Sequence, residues 1–193
     1  SIWVVVELDA SQRRVPGWET GGTIRVTLVD SRGQVVADAE DVLPGSSRST
    51  LCRISVPGRL ADPNYRVHAV VQSEAGARVE VAVDHRVPSE EPLLFRRGPF
   101  TGPREVPTAV VQFRRQERLR VELPWLTDMT TVSSRLLDRN GKSLAIPVAV
   151  SQPQGPDTSV VLDLVLAPLA PGNYVLECAD RTGLRLLAFR IIP

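Results

Sequence analysis

Lysine is nearly missing from this chain. Lys142 is the only one, and arginine carries the rest of the positive charge, a bias of base composition rather than a phosphate-binding pattern. The net charge is +1, so no overall field draws the chain to nucleic acid or to an anionic membrane. Histidine occurs twice, as His68 and His85. His85 follows Asp84, a pairing that can orient an imidazole, but no serine or cysteine is placed to complete a triad and no nucleophile elbow is present. No catalytic residue is assigned, and an enzyme is not expected. Cysteine also occurs twice, as Cys52 and Cys178, with no CxxC and no Cys/His cluster to hold zinc. The carboxylates Asp9, Glu40, Asp41, Glu90 and Glu91 are scattered, and no Asp-x-Asp-x-Asp loop gathers them for calcium. No metal and no cofactor is implied. No apolar run approaches the roughly 18–20 residues that span a bilayer. Ile2 to Val6 is far too short and lacks a basic flank and a cleavage signature, so membrane insertion is not expected. The chain opens on a strand-like segment, as an excerpt of a longer protein would, with any leader upstream.

What the chain does have is punctuation and alternation. Sixteen prolines and thirteen glycines break 193 residues into short pieces, while 42% hydrophobic content suffices for packed cores. Val-rich residues 2–9 read as a strand. Residues 9–22 read as a loop. Thr23 to Asp30 alternates, with Ile24, Val26 and Leu28 on one face, and Asp30-Ser-Arg-Gly33 makes a turn in which Gly33 supplies a positive φ. Gln34 to Asp41 returns. Cys52, Ile54 and Val56 share a face, as do Tyr65, Val67, Ala69 and Val71, and then Val79, Val81 and Val83. About seven strands in about 87 residues is the pattern of an immunoglobulin-like sandwich.

The pattern then repeats. Asp138-Arg-Asn-Gly141 matches Asp30-Ser-Arg-Gly33, each landmark 108 residues on, and Tyr174 follows Tyr65 by 109. Leu162, Leu164 and Leu166 match Cys52, Ile54 and Val56; Leu169 matches Leu60. Repeated landmarks at one spacing indicate a duplicated unit. Between the copies, residues 88–111 hold Pro88, Pro92, Pro99, Pro103 and Pro107, which exclude a central strand at those positions. The expected organisation is all-β: two tandem immunoglobulin- or fibronectin-III-like β-sandwiches at 1–87 and 112–193, joined by a Pro-rich, partly packed linker at 88–111.

The residues that stand out are structural. Tyr65 and Tyr174 each begin a penultimate strand, where a tyrosine packs its ring in the core and bonds backbone a few residues upstream. Gly33 and Gly141 set the matching turns. Trp18, in Pro16-Gly-Trp-Glu19, and Trp125, after Pro124, are the candidate ligand-binding residues, because a flat aromatic platform stacks on a sugar. Trp3 belongs to strand packing. The arginine-aromatic stretches 95–100 and 113–120 are diluted by Glu105, Glu117 and Glu122 and do not make a nucleic-acid surface. Arg96 and Arg97 are within sequence reach of Glu90 and Glu91.

Three stretches carry a family resemblance: Phe113 to Glu122, Leu136 to Leu144, and Leu166 to Leu176, with the close Ala188 to Pro193. The chain resembles the C-terminal region of secreted bacterial proteins, of an acidobacterial type, that carry a von Willebrand factor A-like domain upstream. The likeness is fullest from about residue 93 onward. The A-type domain and its metal-binding loop lie outside this chain, so no metal ligand is carried over. The resemblance implies an accessory tandem sandwich in an exported protein, hence an extracytoplasmic location. The expected function is a non-enzymatic interaction or spacer module with an unidentified protein partner. The alternative is a carbohydrate-binding module that holds a glycan on Trp18 or Trp125.

Overall fold

A computed structural model describes residues 1–9, 11–45, 49–56, 58, 60, 64–86, 91–99, 101–124, 126, 132–152, 159–181 and 183–193, with Arg13 through its backbone only. The chain divides into two compact units, Ser1–Ser89 and Glu90–Pro193. Both are built from antiparallel sheets, with one parallel pairing in the second.

The first unit holds β1 (Ile2–Glu7), β2 (Gly21–Val29), β3 (Val35–Pro44), β4 (Ser49–Ile54), β5 (Asn64–Ser73) and β6 (Arg78–Arg86). β1 pairs with β4 in a two-stranded sheet; the facing sheet runs β3-β2-β5-β6. Alternation decides the faces: along β2, Ile24, Val26 and Leu28 are buried while Thr23 and Arg25 are exposed. The core gathers these with Leu43, Cys52, Ile54, Tyr65, Ala69 and Val71. The described residues form six strands here, not seven. Val79, Val81 and Val83 do lie on the core side of β6, opposite Val71, Ala69 and Val67. Yet Val81 is 52% and Val83 56% exposed, because the two-stranded facing sheet does not reach over them.

The second unit holds β7 (Leu93–Arg97), β8 (Val106–Pro107), β9 (Gln112–Arg114), β10 (Arg118–Leu123), β11 (Ser133–Asp138), β12 (Ala149–Ser151), β13 (Val160–Val165), β14 (Gly172–Asp180) and β15 (Gly183–Ile192). One sheet runs β12-β13-β10-β7-β8, the other β11-β14-β15-β9, with β9 parallel to β15. Its core includes Leu94, Phe113, Leu119, Val121, Leu136, Leu162, Leu164, Leu166, Leu176 and Phe189.

The Pro-rich stretch therefore differs from the expected linker at 88–111. Leu93–Arg97 is a strand inside the second sandwich, paired with β10 from Glu122↔Leu93 to Arg118↔Arg97. Val106–Pro107 pairs with it in turn, with Pro107 on the outermost strand, where a missing N–H costs nothing. The prolines flank the strand rather than interrupt it. Residues 112–123 form two strands: β9 joins one sheet, and β10 crosses to the other.

The repeated landmarks coincide atom for atom. Asp30 Oδ1 accepts from Arg32 N at 2.9 Å and Gln34 N at 2.8 Å; Asp138 Oδ1 accepts from Asn140 N at 2.8 Å and Lys142 N at 2.9 Å. Gly33 and Gly141 both sit at φ 79°, where an L side chain is strained. Tyr174 donates its hydroxyl to the Ala170 carbonyl at 2.8 Å, closing the corner as expected. Tyr65 is buried at the matching place, and the residues upstream of it, 61–63, lie outside the described residues.

Candidate interaction surfaces

The outward side of the larger sheet of the first sandwich is a ladder of ion pairs. Arg66 donates to Asp84 at 2.8 Å, and Arg25 reaches Asp38 at 3.4 Å. Glu80 stands between Arg78, at 3.0 Å, and His68, whose Nε2 is 2.7 Å from Glu80 Oε1. The hydrogen bond from Arg66 holds the Asp84 carboxyl below the usual carboxylate range. Hydrogen bonds from Arg78 first, then from His68, do the same for Glu80. Apart from Arg78 and Glu80, which share β6, these groups meet across neighbouring strands on a solvated face.

At one end of that sheet a cleft of about 600 Å³ is lined by Asp30, Ser31, Asn64, Tyr65, Asp84 and His85, with other residues of the same strand ends. His85 occupies the register position opposite Tyr65. In the second sandwich Phe189 takes that position opposite Tyr174, stacked on it at 5.9 Å and meeting Phe113 edge-on at 6.2 Å.

The same outward face in the second sandwich exposes leucines along β15. Leu184 and Leu186 are 53% and 62% exposed, and register places Leu184 opposite Ala179, Leu186 opposite Glu177 and Ala188 opposite Val175. Arg135 donates to Glu177 beside them. A smaller slot of about 230 Å³ lies under this strand, lined by Pro92, Val121, Leu123, Cys178, Arg185 and Leu187 among others.

The predicted ligand residues fare differently. Trp18 is fully buried in the first core, so it offers no face to a sugar; its Nε1 has no hydrogen-bond partner among the described residues. Trp125 lies outside the described residues. Trp3 packs under the Arg53 guanidinium at 5.3 Å. Both cysteines are free, buried and in different units. Burial, then Asp41, pushes the Cys52 thiol up to about 11. Burial, then Asp180, raises Cys178 as well, against Arg185. Neither is a nucleophile at neutral pH. Among the described residues no group of three or more His, Cys, Asp or Glu is placed to hold a metal ion.

Sequence reading missed one buried pair. Arg96 meets Glu117, 3.5 Å away and almost wholly buried, while Glu90, one of its expected partners, lies outside the described residues. Arg96 also donates to Thr108 Oγ1 at 2.7 Å and lies over the Phe113 ring at 5.2 Å. Glu117 in turn accepts from Arg114 N at 2.6 Å. The knot ties β7, β9 and the start of β10 together. Its signal in the sequence was a glutamate inside an arginine run.

Strand order and the tyrosine corner define the class: two immunoglobulin-like β-sandwiches in tandem. No family model matches the chain, and no curated protein does. Among solved structures, it is similar to SGBP-B of the Bacteroides ovatus mixed-linkage glucan utilization locus, solved with a mixed-linkage heptasaccharide. There the identity is 12% and the TM-score 0.26, over 98% of this chain and 40% of that one. It is similar to Drosophila OTK extracellular domains 3–5, at 13% identity and TM-score 0.24, over 98% and 59%. A chimeric titin Z1Z2 gives 13% identity and TM-score 0.27, over 99% and 80%. The chain thus spans less than two thirds of the first two.

Proposed function

We propose that this chain is a non-enzymatic, extracytoplasmic interaction module, accessory to a larger exported protein, that holds a protein partner on its second sandwich. The observation behind this reading is the pair Leu184 and Leu186 on the outward side of β15. In a sandwich the outward side of a strand is ordinarily polar. At the matching positions of the first sandwich Arg66, Asp84 and Glu80 stand where Val175, Ala188 and Leu184 stand in the second, and the small Ala82 stands where Leu186 does. Covering two half-exposed leucines is worth roughly 1 kcal/mol each to a partner. The extracytoplasmic placement follows the resemblance at residues 113–122, 136–144 and 166–176. The glycan reading loses Trp18 to the core and keeps only Trp125.

The test is affinity capture with the chain from a cell-surface fraction, then calorimetry against the purified partner. The double variant Leu184→Glu, Leu186→Glu should keep its β-sheet circular dichroism and bind at least about tenfold more weakly. Equal binding by the variant, or turnover in a substrate screen, overturns the reading.

A further inference from the structure

Strand β6 ends the order β3-β2-β5-β6, and among the described residues its outer edge pairs with nothing. It is nine residues long, Arg78-Val-Glu-Val-Ala-Val-Asp-His-Arg86, and all but Val79 and His85 are exposed. Edge strands are ordinarily blunted by shortness, charge, proline or a bulge, because a free row of N–H and C=O groups is a template for another strand. β6 is neither short nor interrupted by proline, its pairing with β5 runs without a register shift, and its charges are of both signs, so a second β6 can match them. Its counterpart β15 is closed at its C-terminal end by β9.

We propose that β6 pairs with β6 of a second copy of this chain, antiparallel about a two-fold axis at Val81, joining the two larger sheets into one. Side chains alternate with period two, so only registers that keep valine on the valine face survive. With the axis at Val81, Val81 faces itself and Val79 faces the second copy's Val83, and the reverse. On the other side of the sheet, Arg78 faces the second copy's Asp84 and Asp84 its Arg78. Moving the axis to Ala82 sets Glu80 against Asp84 and Arg78 against Arg86, like charges throughout. Moving it to Glu80 sets that carboxylate against itself. Moving it to Val83 keeps a Glu80–Arg86 match but leaves Val81 against His85. Moving it to Val79 sets Arg78 against Glu80 but overlaps only residues 78–80 of the strand, so the Val81 register is the one that satisfies both faces along most of β6. It also extends the existing ladder: Arg66–Asp84 would continue into the second copy's Arg78–Glu80. The contact uses residues of the first unit only and neither Leu184 nor Leu186, so the two readings fail separately.

Sedimentation equilibrium of the full chain tests it. A monomer–dimer equilibrium is expected. Arg78→Asp and Asp84→Arg should each weaken it at least about tenfold by setting like charges opposite one another. An equimolar mixture of the two variants should restore the dimer, since one copy then presents two negative charges to the other's two positive ones. Val81→Cys should cross-link to itself under mild oxidation, because opposed residues of an antiparallel pair lie within disulfide reach, while Val35→Cys on β3 should not. Val81 and Val35 are exposed, so these variants keep the fold. A chain that stays monomeric up to about 1 mM overturns the proposal. So does a dimer indifferent to both charge reversals, or a folded Val81→Cys chain that fails to cross-link.

Discussion

Two side chains show how far a single residue can be read. Tyr174 was legible because its place, just after a Pro-Gly-Asn turn, repeats that of Tyr65, and its hydroxyl does reach the Ala170 carbonyl. Tyr174→Phe should lower the stability of the second sandwich by about 1 kcal/mol, read as a shift in the urea midpoint of that unit. An unchanged midpoint would mean that the ring alone holds the corner. Trp18 was not legible. A loop has no period to tell inside from outside, and the turn at Gly17 and Glu19, closed by Glu19 Oε2 accepting from Gly17 N at 2.8 Å, delivers the indole to the core. Cys52 carries a pH prediction. Its thiol titrates at about 11 when folded against an ordinary 9.0. The folded state then keeps a proton that the unfolded state gives up. This contribution to stability is complete below pH 9 and is lost as pH rises toward 11. Guanidinium midpoints at pH 8 and pH 10.5 should differ more for the wild type than for Cys52→Ala.

At the level of elements, the repeat was legible and the side of the second sandwich was not. Asp30 and Asp138 specify their turns through bonds within five residues, so the local sequence contains the whole instruction. β7 is the opposite case. Leu94 and Arg96 point the same way along the strand, and an arginine facing inward breaks the apolar alternation that marks a strand. Its burial is permitted by Glu117, a partner brought in by the fold. Removing that partner strands a cation, so Glu117→Ala should destabilise the second unit by about 3 kcal/mol, measured by chemical denaturation. Exchanging Glu117 for glutamine should cost less, because the amide still accepts from Arg114 N. Equal losses would assign the whole effect to the missing charge and none to the packing of Glu117 Cγ against Gly98, whose own Cβ position lies 2.9 Å from it.

For the whole molecule, the boundary is where reading and structure differ in consequence. A fragment begun at residue 112 omits β7 and β8, and with them Leu94, Arg96 and Thr108. Residues 90–193 should fold alone with a cooperative thermal transition. Residues 112–193 should unfold at least about 10 °C lower or not fold cooperatively, as expected for the loss of several kcal/mol from a domain of this size. Matching transitions in the two fragments would return 88–111 to the status of a linker. The exposure of Val81 and Val83 was invisible in the alternation of β6 because period two reports a face and says nothing of whether another layer covers it.

The unequal hairpins have a further consequence. Tyr65 meets His85 across the longer loop, Tyr174 meets Phe189 across the shorter one. Neighbouring copies of one domain invite mispairing as they leave the ribosome, a nascent strand of one completing the other. Here a nascent β14 reaching for β6 would find the wrong span and an imidazole where its tyrosine stacks on a phenyl ring. The two halves share a plan and differ in their closing strands, a difference that disfavours finishing one with the other's parts.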